Sequence, residues 1–211
     1  MAFRDRADAG RRLAALLGGL TAERVVVLGV PRGGVPVAAE VARALGAPLD
    51  VVVVRKVGAP VQPELAIGAV AEGGVALVDR AAAEHVGVSP AELERLVAAR
   101  RAEVAARVRA LRGDIAPPDL SGATAVIVDD GLATGLSDLA AVESARERGA
   151  ARVVVADPVG SEQAVAALRG AADDCVCVLV PGRFGSVGRW YGDFAPVSDH
   201  DVRAALAGGE S

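Results

Sequence analysis

Short unbroken apolar runs alternate along the chain with stretches whose apolar residues recur every three or four positions. The runs are VVVLGV (25–30), LDVVVVRKV (49–57), AVIV (125–128), ARVVVADPV (151–159) and CVCVLVP (175–181). Continuous valine-rich segments of this kind read as strands buried on both faces, the habit of parallel sheets. The helical patterns fall between them: about 5–17, with Ala7, Leu13, Ala14 and Leu17 in one stripe, then 34 to Gly46, 135–148, 161–170, and a short one after His200 with a frayed end. SPAE, at 89–92, reads as a capping box with proline at the first helical position. It opens a helix to about Leu111 with six arginines on its polar side, most simply a solvated face and alternatively a phosphate-binding one. LAIGAVAEGGVALV (65–78) predicts two strands turning at Gly73–Gly74. GAPVQPE (58–64), with two prolines, predicts a loop, and GDIAPPDLSG (113–122) a linker. This rhythm predicts an α/β fold: a parallel sheet with helices on both faces, and a ligand at the carboxyl ends of strands where strand order switches.

At 211 residues and 52% apolar content the chain fits one domain, 1–211, with a core about 20–180 and a C-terminal segment about 181–208. The net charge of −4 and the lack of a Lys/Arg-rich run argue against a nucleic-acid partner. No apolar run approaches the roughly 20 residues of a membrane span, so no membrane partner is expected. MAFRDRADAGRRLAALL has no apolar signal core, and cytoplasm is the expected setting. Cys175 and Cys177 share one face of a strand and read as two small buried residues.

The chemistry concentrates in VIVDDGLATG, 126–135. A buried strand runs into Asp129 and Asp130. Gly131, Ala133, Thr134, Gly135 and Ser137 follow, small residues ahead of a helix. Small side chains let backbone N–H groups approach an anion, and the helix dipole adds to the attraction. The acids repel a phosphate and want hydroxyls or a divalent cation. A sugar phosphate satisfies both demands. On pattern alone, a solvated strand end with a helix cap fits equally well. No Walker-type loop and no G-x-G-x-x-G occur.

AVIVDDGLATGLS closely resembles the phosphoribosyl pyrophosphate (PRPP) signature of type I phosphoribosyltransferases. GVPRGGVPVA, 29–38, resembles that family's pyrophosphate loop. RKVGAPVQPELAIGAV resembles the stretch carrying its flexible catalytic loop. FRDR at 3–6 and WYGDFAPVSDHDV near the C-terminus resemble an uncharacterised bacterial subgroup of it. The resemblance implies a parallel-sheet core with a small hood from terminal segments. It implies an Mg²⁺-dependent transfer of a phosphoribosyl group from PRPP to a nitrogenous base, with release of pyrophosphate. Asp129 and Asp130 would take the ribose hydroxyls and stand near the Mg²⁺ indirectly. Ala133, Thr134, Gly135 and Ser137 would hold the 5-phosphate, with Gly131 beside them in the substrate-binding loop. Arg32, Gly33 and Gly34 would meet the pyrophosphate, in a loop that often carries a cis non-proline peptide. The family is often dimeric, so a homodimer is expected. The alternatives are a non-catalytic regulatory protein that binds PRPP or a nucleotide, and hydrolysis or phosphorolysis of a nucleotide in the same pocket.

Three features qualify this expectation. Lys56 is the chain's one lysine against 22 arginines, and with Arg55 it stands where it would reach pyrophosphate; chance also leaves one lysine. Ala133 replaces the acid that 6-oxopurine enzymes of the family use on the base, and Gly131 replaces the motif's usual apolar residue. Phe184, Trp190, Tyr191 and Phe194 are four of only five aromatics. Trp190 and Tyr191 either stack on a base or pin the C-terminal segment in a small core.

Overall fold

In the computed structural model, which describes residues 1–208, five parallel strands form the central sheet in the order β2-β1-β6-β7-β8. They are β1 (Val25–Gly29), β2 (Leu49–Val51), β6 (Thr124–Val128), β7 (Arg152–Val159) and β8 (Asp174–Leu179). β1 and β6 are buried at every residue because successive side chains go to opposite faces, and both faces are covered. Val25, Val27, Val126, Val128 and Val154 meet α1 (Arg6–Leu16) and α2 (Gly34–Leu45) through Leu13, Leu17, Val37 and Val41. Val26, Leu28, Ala125, Ile127, Val153 and Val155 meet α5 (Leu136–Glu147) and α6 (Glu162–Arg169). Each fully buried Val or Leu side chain contributes about 1.5–3 kcal/mol.

A second sheet, antiparallel, joins β3 (Val54–Ala59), β4 (Gln62–Ala71) and β5 (Ala76–Val78). The predicted turn at Gly73–Gly74 lies between β4 and β5, both glycines at φ +84°. α3 (Arg80–His85) has no counterpart in the sequence reading; it precedes α4 (Pro90–Arg112). Ser89 caps α4 by accepting from the N–H of Glu92. The reciprocal capping box is instead at Ser198 and Asp201, which start α7 (Asp199–Ala207). The expected frayed end, 209–211, lies outside the described residues.

Two strand boundaries depart from the sequence reading. LDVVVVRKV is two strands, β2 in the parallel sheet and β3 in the antiparallel one, separated by Val52 and Val53. All four valines are buried, so the hydrophobic pattern carries no mark of the change of sheet. GAPVQPE is a tight hairpin in which Ala59 pairs with Gln62. Pro63 is tolerated in β4 because β5 pairs only with Gly68–Val70, leaving this end of the strand a neighbour on one side. No helix among the described residues is long and apolar enough to cross a membrane. Cys175 and Cys177 are free thiols, Cys175 buried and Cys177 packed against the same core.

Candidate functional site

β1 and β6 are neighbours in register, with Gly29 opposite Val128. Their helices cover opposite faces of the sheet, so strand order reverses between them and a cleft opens beyond their carboxyl ends. The loops after the two strands meet there. The N–H of Val30 donates to the carbonyl of Val128 at 2.8 Å. A Cβ on Gly33 would collide with Asp130 Oδ2, and one on Gly34 would stand 2.5 Å from the Val128 carbonyl oxygen. Only glycine allows this approach. The Pro31–Arg32 peptide bond is cis. The Arg32 side chain is about half exposed.

Asp129 and Asp130 are held by a network, not left at a solvated strand end. The Asp129 N–H donates to Asp157 Oδ1 of β7 at 2.8 Å, and Asp129 Oδ1 accepts from the Asp130 N–H at 2.7 Å. Arg6 of α1 donates to Asp130 Oδ2 through Nε at 2.9 Å and approaches it through Nη2 at 2.8 Å. Both contacts fall on Oδ2; Oδ1 accepts no hydrogen bond among the described residues. The Arg6 guanidinium also lies 3.8 Å from the centre of the Phe194 ring and donates to the Ala195 carbonyl at 2.9 Å.

Burial, then the charges of Asp138 and Asp130, push the Asp129 carboxyl well above the usual range. Burial also raises Asp130, against the opposing Arg6 charge. Asp157 is fully buried and pushed up by burial and by Asp138 and Asp129. Asp138, in the first turn of α5, is pushed up to about 7 by burial, an effect Lys56 opposes. Among the described residues Asp157 Oδ2 and Asp138 Oδ1 have no hydrogen-bond partner.

The small loop is anchored to the end of β7. Leu132 is buried, its N–H donates to the Val159 carbonyl at 2.8 Å, and its carbonyl accepts from the Ser161 N–H at 2.9 Å. Ser161 Oγ donates to the Ala133 carbonyl at 2.8 Å. Ala133 and Thr134 are exposed, and Gly135, at φ +76°, turns the chain into α5 without a side-chain cap. The N–H groups of the first helical turn have no partner within the helix. The departure at Gly131 has a packing reason: a Cβ there would lie 2.9 Å from Val187 Cγ1 of the C-terminal segment.

Arg55 and Lys56, adjacent on β3, point to opposite faces of that strand. Arg55 is partly buried, and burial, then the Arg107 charge, push its pKa down, with Arg100 and Arg32 acting in the same direction. Lys56 is exposed, and its charge acts on Asp138 of α5 instead. The aromatic cluster is a small core. Tyr191 is buried, stands 5.4 Å from Phe3 and 5.0 Å from Phe194 between ring centres, and donates through its hydroxyl to the Asp130 carbonyl at 2.6 Å. Trp190 donates to the Phe184 carbonyl at 3.1 Å. Tyr191 therefore supports the acidic loop from behind, and its ring faces protein.

Asp138 and Asp157 carry no role in the sequence reading, and Arg6 enters there only as the last residue of FRDR, with no role attached. A lone acid inside the apolar run VVVADPV is a signal for Asp157, since an unpaired charge is expensive to bury. Nothing local separates Asp138 from surface residues of a helix, and FRDR marks Arg6 without pointing to Asp130.

Among known sequences, the family profile described as "Phosphoribosyl transferase domain" matches residues 4–179. Two proteins of Mycobacterium tuberculosis, both named "Putative phosphoribosyl transferase" (Rv0571c in strain H37Rv, MT0597 in strain CDC 1551), are each 46% identical over 204 residues. The match covers 97% of this chain but 46% of theirs, so the chain spans about half the length of these relatives. The crystal structure of TT1426 from Thermus thermophilus superposes with a TM-score of 0.83 at 46% identity, covering all of both chains.

Proposed function

The chain belongs to the phosphoribosyl transferase domain family, and from that premise we propose that it transfers a phosphoribosyl group from PRPP to a nitrogenous base, releasing pyrophosphate. The observation that carries the reading is the meeting of two unlike loops at the switch point. A glycine turn after β1 and an acid-then-small-residue turn after β6 are packed so closely that Gly33 touches Asp130. One ligand with a diol between two phosphate groups fits this arrangement.

In this reading the ribose hydroxyls donate to Asp129 and to Asp130 Oδ1. The 5-phosphate sits on Ala133–Ser137 and the start of α5. The pyrophosphate lies over Arg32, Gly33 and Gly34, with Arg55 beside it and Lys56 at the α5 side. The bond from C1 to the pyrophosphate oxygen breaks with its electron pair leaving on pyrophosphate, a base nitrogen bonds to C1, and the proton that nitrogen gives up passes to the departing pyrophosphate. The protein's part is to hold the reacting atoms in line and to stabilise the charge gathering on the leaving group. The β3–β4 hairpin tip excludes water.

The donor set suits Mg²⁺ in a restricted way. No group of three or more His, Cys, Asp or Glu side chains converges among the described residues, whereas Mg²⁺ in phosphate sites uses one or two carboxylates plus substrate oxygens. Asp129 and Asp130 would assist in holding it, and the ion would offset negative charge on the leaving group. Ala133 disfavours a 6-oxopurine acceptor by the route that uses an acid at that position; the alternative reading, non-catalytic PRPP sensing, needs only the phosphate and ribose contacts and no closure of the Arg55–Glu64 loop.

Calorimetric titration with PRPP, with and without Mg²⁺ and against ribose 5-phosphate, tests the reading. Mg²⁺-enhanced PRPP binding is expected, followed by pyrophosphate release when the right base is supplied. An absence of PRPP binding in both conditions rejects it.

A further inference from the structure

Arg107 lies on α4, and its two terminal nitrogens donate to both carboxylate oxygens of Asp199, at 2.5 and 2.6 Å. Asp199 opens α7 in the C-terminal segment, and its Oδ1 also stands 3.8 Å from Nη1 of Arg32. Arg55 lies within electrostatic reach of Arg107, Glu103, Arg100 and Arg32, and among the described residues the one hydrogen-bond acceptor it meets is the neighbouring Val54 carbonyl. Glu103 is engaged by Arg100. Arginines from the β1 loop, from β3 and from α4 thus converge on one side, and the carboxylate gripped between Arg107 and Arg32 comes from α7. A carboxylate in an arginine fork presents its oxygens much as a phosphate does.

We propose that Arg107 joins Arg32 and Arg55 in gripping the pyrophosphate of PRPP, and that Asp199 holds this place until pyrophosphate displaces it. The inference rests on the phosphoribosyl-transfer reading. Asp199 then lowers apparent affinity by the fraction of molecules in which it occupies the arginines. Its return helps expel the product. The first turn of α7 loosens when the ligand arrives, which ties the C-terminal segment to the state of the site.

The test titrates inorganic pyrophosphate into the full chain in Mg²⁺ buffer, with ribose 5-phosphate as reference. Asp199→Asn is expected to bind pyrophosphate roughly three- to tenfold more tightly. Arg107→Gln is expected to bind it about tenfold more weakly. Ribose 5-phosphate affinity stays unchanged in both. Asp201→Asn removes the same charge two residues along and keeps an acceptor for the cap; it shifts pyrophosphate affinity by less than about twofold, since exposed charges are screened. Hydrogen exchange on the wild type supplies a readout that needs no variant: pyrophosphate should speed exchange at the start of α7. Unchanged or weaker pyrophosphate binding by Asp199→Asn, an equal gain in Asp201→Asn, or slower exchange in α7 overturns the displacement. If the wild type binds ribose 5-phosphate and these results fail, only this inference falls. If it binds neither ligand, the phosphoribosyl-transfer reading falls with it.

Discussion

The loop after β6 and the loop after β1 meet across one gap between parallel strands, and they are held in different ways. The β6 loop is tied down from behind. Asp157 fixes the Asp129 backbone, Tyr191 fixes the Asp130 carbonyl, Arg6 fixes the Asp130 carboxylate, and Ser161 fixes Ala133. The β1 side instead presents long cations. Arg32 is half exposed and no closer than 3.8 Å to Asp199, Lys56 is exposed, and among the described residues Arg55 hydrogen-bonds only to its neighbour's carbonyl. In the proposed reaction the ribose end is common to reactant and product, whereas pyrophosphate must leave. A rigid seat suits the first and a loose electrostatic one suits the second, because preorganisation helps most where the ligand stays put.

If the β6 side is the rigid seat, damage to it should cost most. Replacing both Asp129 and Asp130 by Asn puts an amide N–H₂ where each carboxyl presents an oxygen to the ribose hydroxyls. At about 1–3 kcal/mol for each polar group left without its partner, PRPP affinity should fall by about a hundredfold or more. Calorimetry reads the loss, and circular dichroism should report an intact fold. Undiminished binding would remove the acids from the ribose site and erase the contrast.

Arg6→Ala comes next. It leaves Asp130 without its partner and takes the cation from the Phe194 face. Truncating one partner of a partly buried, hydrogen-bonded pair should destabilise the protein by about 2–3 kcal/mol. Arg6→Lys should recover part of this, since it keeps the charge and loses the planar fork. Denaturant melts of the three proteins decide it. Equal stability of wild type and Arg6→Ala would mean that the terminal segments do not brace the acidic loop.

A smaller effect is expected from Asp138, whose carboxyl the fold raises from 3.8 to about 7. Between those values the folded chain keeps a proton that the unfolded chain releases. This group's contribution to stability therefore declines as pH rises from about 4 to about 7 and is level above that. Asp138→Asn removes the decline, so its melting temperature relative to wild type should climb by a few degrees from pH 5 to pH 8. A pH-independent difference would mean that Asp138 is not held neutral by burial.

The same contrast explains what the sequence makes legible. Valine runs mark the parallel strands because burial on both faces leaves no polar positions. The pair Asp129–Asp130 with its small-residue loop marks the rigid seat. The residues that brace it are not legible. Arg6 is 124 positions from Asp130, and no local pattern encodes such a pairing. Val51 and Val54 look alike in sequence, yet one belongs to the parallel sheet and the other to the antiparallel one. Tyr191 is legible as part of an aromatic cluster, but only the fold shows its hydroxyl bound to the Asp130 carbonyl.

Lys56 sits on the border between the two sides, and it supplies the finest test of the comparison. The sequence reading pairs it with Arg55 on the pyrophosphate. β3 turns the two apart, and the Lys56 charge acts on α5, whose first turn the 5-phosphate would occupy. Lys56→Ala removes one flexible charge at an exposed site, so a loss of about 1 kcal/mol, or about fivefold in PRPP affinity, is expected. Ribose 5-phosphate serves as the discriminating ligand. If its affinity is spared while that of PRPP falls, Lys56 belongs to the loose pyrophosphate side despite its direction on the strand. If both fall equally, Lys56 serves the 5-phosphate, the pyrophosphate is left to arginines alone, and the division between the two sides runs through the middle of the Arg55–Lys56 pair.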